Sequence, residues 1–358
     1  MAIYSTTSSS KAGTAAGANP MIGKYDRPIR AIIEDESNLW EKRHSILDVL
    51  YNVEKSNRFA EAVTAESDFG VFSGKTEGEA AAEDSVKETF TTHIEHIPFG
   101  KTFVITREML DDAKMGMGTE MKQRPRRFVR SYYKTRIKLA AQALINGTAT
   151  SFTFGGKSVK IGVPDGGTLG EVALFSNAHK SADGTLTQKN YFYSPNLSAN
   201  IEATLNVLAN RLRNFKDENG EPMGYIADIV IVPCNRPLLE KAVKAACGSE
   251  RTIGNNNNDI NTQYGNWTVV VLDGWETTDD RIMVMSSEAN QNLLGNMFYN
   301  RVELDITSEE EVKTRNWVWN GYCRFGIGFT TWKHICLAVN ASTLTGAEVL
   351  TELATAST

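Results

Sequence analysis

The chain has 358 residues, 41% of them hydrophobic, enough for one large core or two modest ones. No stretch approaches the roughly 20 uninterrupted apolar residues of a membrane-spanning helix, and Cys234, Cys247, Cys323 and Cys336 stand too far apart for a Cys-x-x-Cys pair or a disulfide framework. The formal net charge of -5 argues against a chain drawn to nucleic acid by its overall charge.

Residues 1–35 show no clear periodicity, and their small, polar start predicts a mobile arm without a secretory leader. Leu39, Trp40, Ile46, Leu47 and Leu50 are spaced for one apolar face of a helix over 37–52. The stretch from Ala62 to Thr106 then reads as a two-stranded arm. A short apolar run, Phe69 to Phe72, leads to a tip of small and acidic residues that includes Glu77, Glu79, Glu83 and Asp84. Strand resumes from Thr89 to Ile97, with Phe90, Thr92, Ile94 and His96 on one face, and again from Phe103 to Ile105. Two strands of about 16 to 18 residues would extend about 55 Å. A lone hairpin is marginal in water, so the burial it lacks is expected from a second copy, an ordinary hairpin packed on its own core being the alternative.

Thr106 is placed to cap a short helix that Gly116 and Gly118 end. A longer helix runs from Pro125 to Ile145, closed by Asn146 and Gly147, a rod of about 21 residues and roughly 30 Å. It carries the one strong charge feature of the chain, an acid-free run of bases in which Arg127, Arg130, Lys134 and Lys138 share a face. A Gly-rich β region spans 150–175. Leu197, Ile201, Leu205, Leu208 and Leu212 mark an amphipathic helix ending near Phe215, followed by a strand over 227–233 and a helix over 237–246, the order of an α/β lobe. Strands follow at 267–272 and 281–285, and aromatic and β-branched residues recur from Asn296 to Val339 before a polar tail.

No catalytic, cofactor-binding or metal-ligating set emerges. His93 and His96 point to opposite faces of a strand and cannot share a metal. Ser151 occupies the first glycine position of a phosphate-loop pattern ending at Lys157 and Ser158, and the run from Gly70 to Thr76 is one residue too short. An enzyme of two α/β lobes would need a pocket of clustered ionisable groups that is not indicated. A DNA-binding module using the basic helix is opposed by the acidic whole.

The order of these parts resembles the major capsid proteins of tailed bacteriophages, with the fold of phage Hong Kong ninety-seven that is shared with herpesvirus capsid floors and encapsulins. Leu174 to His179 and Arg324 to Trp332 are similar to the Mu-like head-subunit branch. The resemblance implies an α+β fold made of an N-terminal arm (1–35), a peripheral domain (36–195) with an extended loop (62–106) and spine helix (125–146), an α/β axial domain (196–295), return strands (296–340) and a tail (341–358). It implies a subunit, not an enzyme and without a cofactor, that self-assembles into hexamers and pentamers of an icosahedral head around double-stranded DNA. Scaffolding, portal and decoration proteins are the further partners, DNA is enclosed without sequence-specific binding, and no membrane is involved. The location implied is the virion capsid, assembled in the host bacterial cytoplasm. An encapsulin-type compartment enclosing cargo enzymes is the alternative on the same fold. The acidic tip, Glu77, Glu79, Glu83 and Asp84, is expected to lie over the spine residues Arg126, Arg127, Arg130 and Lys134 of a neighbour, each pair contributing about 0 to 1 kcal/mol.

Overall fold

The computed structural model describes residues 20–41, 46–66, 72, 74–80, 83, 88–112, 119–166, 170–195, 197–199, 201–250, 261–340 and 348–349. The chain begins with α1 (Pro20–Glu41), α2 (Ile46–Leu50), β1 (Asn52–Lys55), β2 (Ala60–Glu66), β3 (Glu88–Glu95), β4 (Ile97–Ile105), α3 (Arg107–Asp112) and α4 (Thr119–Ile145). Short strands follow: β5 (Ser151–Phe154), β6 (Lys157–Lys160), β7 (Val163–Asp165), β8 (Gly170–Val172), β9 (His179–Lys180), β10 (Thr187–Gln188) and β11 (Tyr191–Tyr193). The remainder is α5 (Ile201–Arg213), β12 (Ile229–Pro233), α6 (Pro237–Gly248), β13 (Thr268–Leu272), β14 (Arg281–Met285), α7 (Ser287–Asn292), β15 (Asn296–Glu310), β16 (Trp317–Phe329), β17 (Ile335–Val339) and β18 (Glu348–Val349).

These elements make an α+β fold around two main sheets. The first has the order β1-β15-β16-β4, with β1 parallel to β15 and the other pairs antiparallel. Helix α4 lies against it through Phe128, Val129, Tyr132 and Leu139, all buried. Close approach is possible because β16 carries Gly321 at the crossing, where a Cβ would sit 2.3 Å from the Phe128 ring. The second sheet has the order β13-β12-β14-β17-β11-β18. Its interior strand β12 is buried along its whole length, as its unbroken apolar sequence requires. The sheet is covered by α5, over β14 and β17, and by α6, over β12 and β13, with Leu205, Leu208, Leu239 and Val243 buried. This sheet takes β11 and β17 from outside residues 196–295.

Buried amides brace the second sheet and its junction with the first. Asn190 Nδ2 donates to the carbonyls of Leu174 (2.8 Å) and Ile335 (3.2 Å), and Asn296 Nδ2 donates to Leu50 O at 2.8 Å while its Oδ1 meets His334 Nε2 at 2.7 Å.

Three sequence expectations change. The helix over 37–52 is instead α1, ending at Glu41, and the five-residue α2; residues 20–35, taken as part of an aperiodic arm, are helical. Ile29, Ile33, Glu36 and Ser37 form the buried face of α1, so two polar residues and Pro28 obscured its periodicity. The spine starts at Thr119 rather than Pro125, since buried Met121 anchors an extra turn ahead of the proline. Not all of 62–106 is arm: β2 and β3 pair from Ala60↔Glu95 to Glu66↔Glu88, whereas β4, read as arm, pairs with β16 from Ile97↔Phe325 to Ile105↔Trp317. Residues 1–19 and the tail 341–358, apart from β18, lie outside the described residues.

Candidate assembly surface

The β2–β3 hairpin grows out of the first sheet. The ladder of β4 with β16 ends at Ile97↔Phe325, and β3 then packs across the face of the sheet. Ile94 lies against Gly328, where a Cβ would come within 2.7 Å of it, and beside Met297 and Tyr299. Thr92 and Ile94 are buried and Thr91, His93 and Glu95 exposed, the alternation of a strand with one covered face. Its root is pinned by polar contacts: Ser56 Oγ lies 2.9 Å from His96 Nε2 and donates to Glu61 Oε1 at 2.5 Å, and Arg324 Nε donates to His96 O at 3.3 Å. Burial, with the nearby Arg301 and Arg324 charges, lowers the His96 pKa and favours a neutral ring. His93 is exposed and His96 buried, so the two do not converge.

At the tip, Glu77, Glu79 and Glu83 are exposed. Thr76 to Glu79 form a tight turn with Gly78 at φ +86, which favours glycine. Glu79 Oε2 accepts from Thr76 Oγ1 (2.5 Å) and Thr76 N (3.0 Å), and these bonds hold its carboxyl below the usual range. Asp84 lies outside the described residues, as do Phe69 and Val71 of the apolar run, whereas Phe72 is fully exposed.

On α4, Arg126, Arg127, Arg130 and Lys134 are all exposed. Arg130 is engaged inside its own chain: its Nε donates to Glu36 Oε1 at 2.7 Å, and beside it Trp40 stacks on Tyr133 with centroids 5.7 Å apart. Burial tends to raise the Glu36 pKa, but hydrogen bonds from Arg130 and Trp40 and the charges of Arg130 and Arg126 outweigh it and leave the carboxyl below its ordinary value. Sequence reasoning did not find Glu36 as a partner because it lies in the segment read as an arm boundary. No ion pair joins tip and spine within the chain among the described residues. Exposed Lys101 and Lys157 also stand near Lys138 and were not singled out.

The remaining titratable groups show no convergence on a reacting centre. No cluster of three or more His, Cys, Asp or Glu could hold a metal among the described residues. Burial pushes the thiols of Cys247 and Cys323 up to about 11, and that of Cys336 higher still. No described helix is long and apolar enough to cross a membrane.

A family model described as "Phage capsid protein" matches residues 88–338. No curated protein matches the chain. Among solved structures, the capsid of cyanophage P-SCSP1u is similar with a TM-score of 0.51 at 10% identity, covering 84% of this chain and 89% of that one. Mycobacterium phage Patience gives a TM-score of 0.49 at 12% identity, covering 92% and 91%. The family match spans well over half of the sequence and includes the spine helix, the β15–β16 hairpin and the second sheet apart from β18 and the last residue of β17. The chain therefore belongs to the phage capsid protein family, and its role is that of a major capsid protein, the subunit from which the shell is built.

Proposed function

We propose that the subunits form pentamers and hexamers of an icosahedral head, each reaching with its β2–β3 hairpin over the spine helix of the next. The observation that carries this reading is the segregation of exposed charge: acids Glu77, Glu79 and Glu83 between β2 and β3, bases Arg126, Arg127 and Lys134 along an outward face of α4. Asp84 adds to the acidic tip in sequence. Arg130 plays a lesser part than its neighbours because Glu36 already holds it. Individually weak pairs, about 0 to 1 kcal/mol each, suit a shell in which many contacts act together and errors must remain reversible.

In this reading the first sheet and α4 make the peripheral domain, and the second sheet makes the axial domain at the five-fold and six-fold centres. Double-stranded DNA is enclosed without sequence readout, and a separate scaffolding protein, a portal and decoration proteins complete the head. The Mu-like branch rests on the resemblance of Leu174 to His179 and Arg324 to Trp332, two segments that meet in the fold where His179 stacks on Trp332 with centroids 4.3 Å apart.

Negative-stain electron microscopy with light scattering of the full chain tests the proposal. Wild-type protein, expressed alone or beside its neighbouring genes, is expected to give rings or closed shells, and Arg127→Glu with Lys134→Glu is expected to give neither. Normal shells from that double variant would reject the arm-to-spine contact, and a wild-type protein that stays monomeric in both settings would reject the assembly.

A further inference from the structure

A groove of about 720 Å³ runs between α4, the β4–β16 ladder and the β5–β6 hairpin. Its lining sets Phe99, Phe128, Phe154 and Leu304 beside the polar Ser131, Thr135, Gln142 and Thr153, and exposed Lys101, Lys138 and Lys157 stand around it. The lining rings are held in place: Phe99 stacks on Phe325 at 4.7 Å and meets Phe154 edge-on at 5.8 Å. A half-polar trough with an aromatic wall and bordering lysines suits an aromatic anchor flanked by carboxylates.

The hairpin tip carries that combination. Phe72 is 102% exposed, which forfeits the burial energy of a large aromatic side chain, and Glu77, Glu79 and Glu83 follow it in sequence. Phe72, Glu77, Glu79 and Glu83 do not line the groove of their own chain, which lies at Pro98 to Lys101 under α4.

We propose that the groove receives Phe72 of a second copy of this chain, with Glu77, Glu79 and Glu83 of that copy set against Lys101, Lys138 and Lys157. The inference rests on the shell-subunit reading above and adds an anchor to it: the charges select and orient the partner, and the buried ring holds it.

The full chain with photoreactive benzoyl-phenylalanine at position 72 keeps an aromatic anchor and reports what it touches. Irradiated particles, checked by electron microscopy, are expected to yield a two-chain product whose adduct maps by mass spectrometry to peptides carrying Phe99, Phe128 or Thr135. Thr135 lines the groove from a partly buried position, and Thr135→Trp, by filling it, should cut the adduct yield about tenfold or more, as loss of a buried aromatic anchor does. An unchanged far-ultraviolet circular dichroism spectrum would show that the variant still folds. Adducts elsewhere, or within one chain, in intact particles would overturn the groove while leaving the shell reading in place. A protein that gives neither adduct nor oligomer, even beside its neighbouring genes, would overturn both.

Discussion

Arg130 Nε donates to Glu36 Oε1 across 2.7 Å, tying the spine helix to α1 of the same chain. The Glu36 side chain is 7% exposed and that of Arg130 51%, so the pair is a covered carboxylate held by a half-exposed base. Arg130→Met would leave the carboxylate with only the 3.3 Å bond from Trp40 Nε1. The expected cost is about 1 to 3 kcal/mol, read as a lower urea midpoint of the dissociated subunit at pH 7. Glu36 titrates in the folded state below its ordinary value of 4.5, so its contribution is present above that pH and fades as pH falls through the lowered pKa. The gap between wild type and variant should narrow under acid, and equal midpoints at pH 7 would show that the pair does not stabilise the subunit.

Charge exchange tests the arm-to-spine contact more sharply than charge removal. Glu77→Lys, Glu79→Lys and Glu83→Lys together are expected to block assembly, and to restore it when combined with Arg127→Glu and Lys134→Glu. All five positions are exposed, so the melting temperature of the subunit should hardly move. Restoration should weaken as ionic strength rises past about 0.1 M, where the screening length is about 10 Å. Failure of the combined variant to assemble at any salt concentration would remove the contact.

Two buried histidines set an acid limit on the fold. Burial lowers the pKa of His179 to about 4 and that of His334 to about 3, from an ordinary value of 6.5. Below pH 6.5 the unfolded chain takes protons that these rings refuse, so stability falls with pH, by roughly 2 kcal/mol for each ring at pH 5. Melting temperature plotted from pH 7 to pH 5 should slope downward, and His179→Gln should flatten the slope whatever its stability at pH 7. An unchanged slope would mean that His179 is protonated in the native state.

Gly321 sets the distance between the spine and the first sheet. A methyl group there would meet the Phe128 ring at 2.3 Å and Leu304 at 3.1 Å. Gly321→Ala is expected to cost about 1 to 3 kcal/mol by overpacking, and Phe128→Leu in the same chain to recover part of it. Two substitutions whose costs simply add would place the crossing elsewhere.

Much of this fold is legible locally. The run from Pro237 to Ala246 and the five residues from Arg281 to Met285 became a helix and a strand nearly as their patterns predict, because the helix buries one continuous face and the strand buries both. Thr106 caps α3 as expected, Met109 N donating to its Oγ1 at 3.4 Å. The failures are non-local. Nothing near Ile97 indicates that its strand joins β16 more than two hundred residues away, and nothing near Asn52 indicates parallel pairing with Met297. Helix α1 escaped for a different reason: Glu36 sits on its buried face, and a charge there is tolerated only because Arg130 comes from another helix. At the candidate surface the individual charges were readable but their engagement was not.

The long ladder of β4 with β16 has a mechanical consequence. A pull along β4 loads the nine pairs from Ile97↔Phe325 to Ile105↔Trp317 together, stressing their backbone hydrogen bonds side by side as shear. A ladder loaded that way resists far more force than one peeled open from an end. Pressure from within a closed particle would thus be borne inside each sheet, and the seams between neighbours would part before any subunit unravelled.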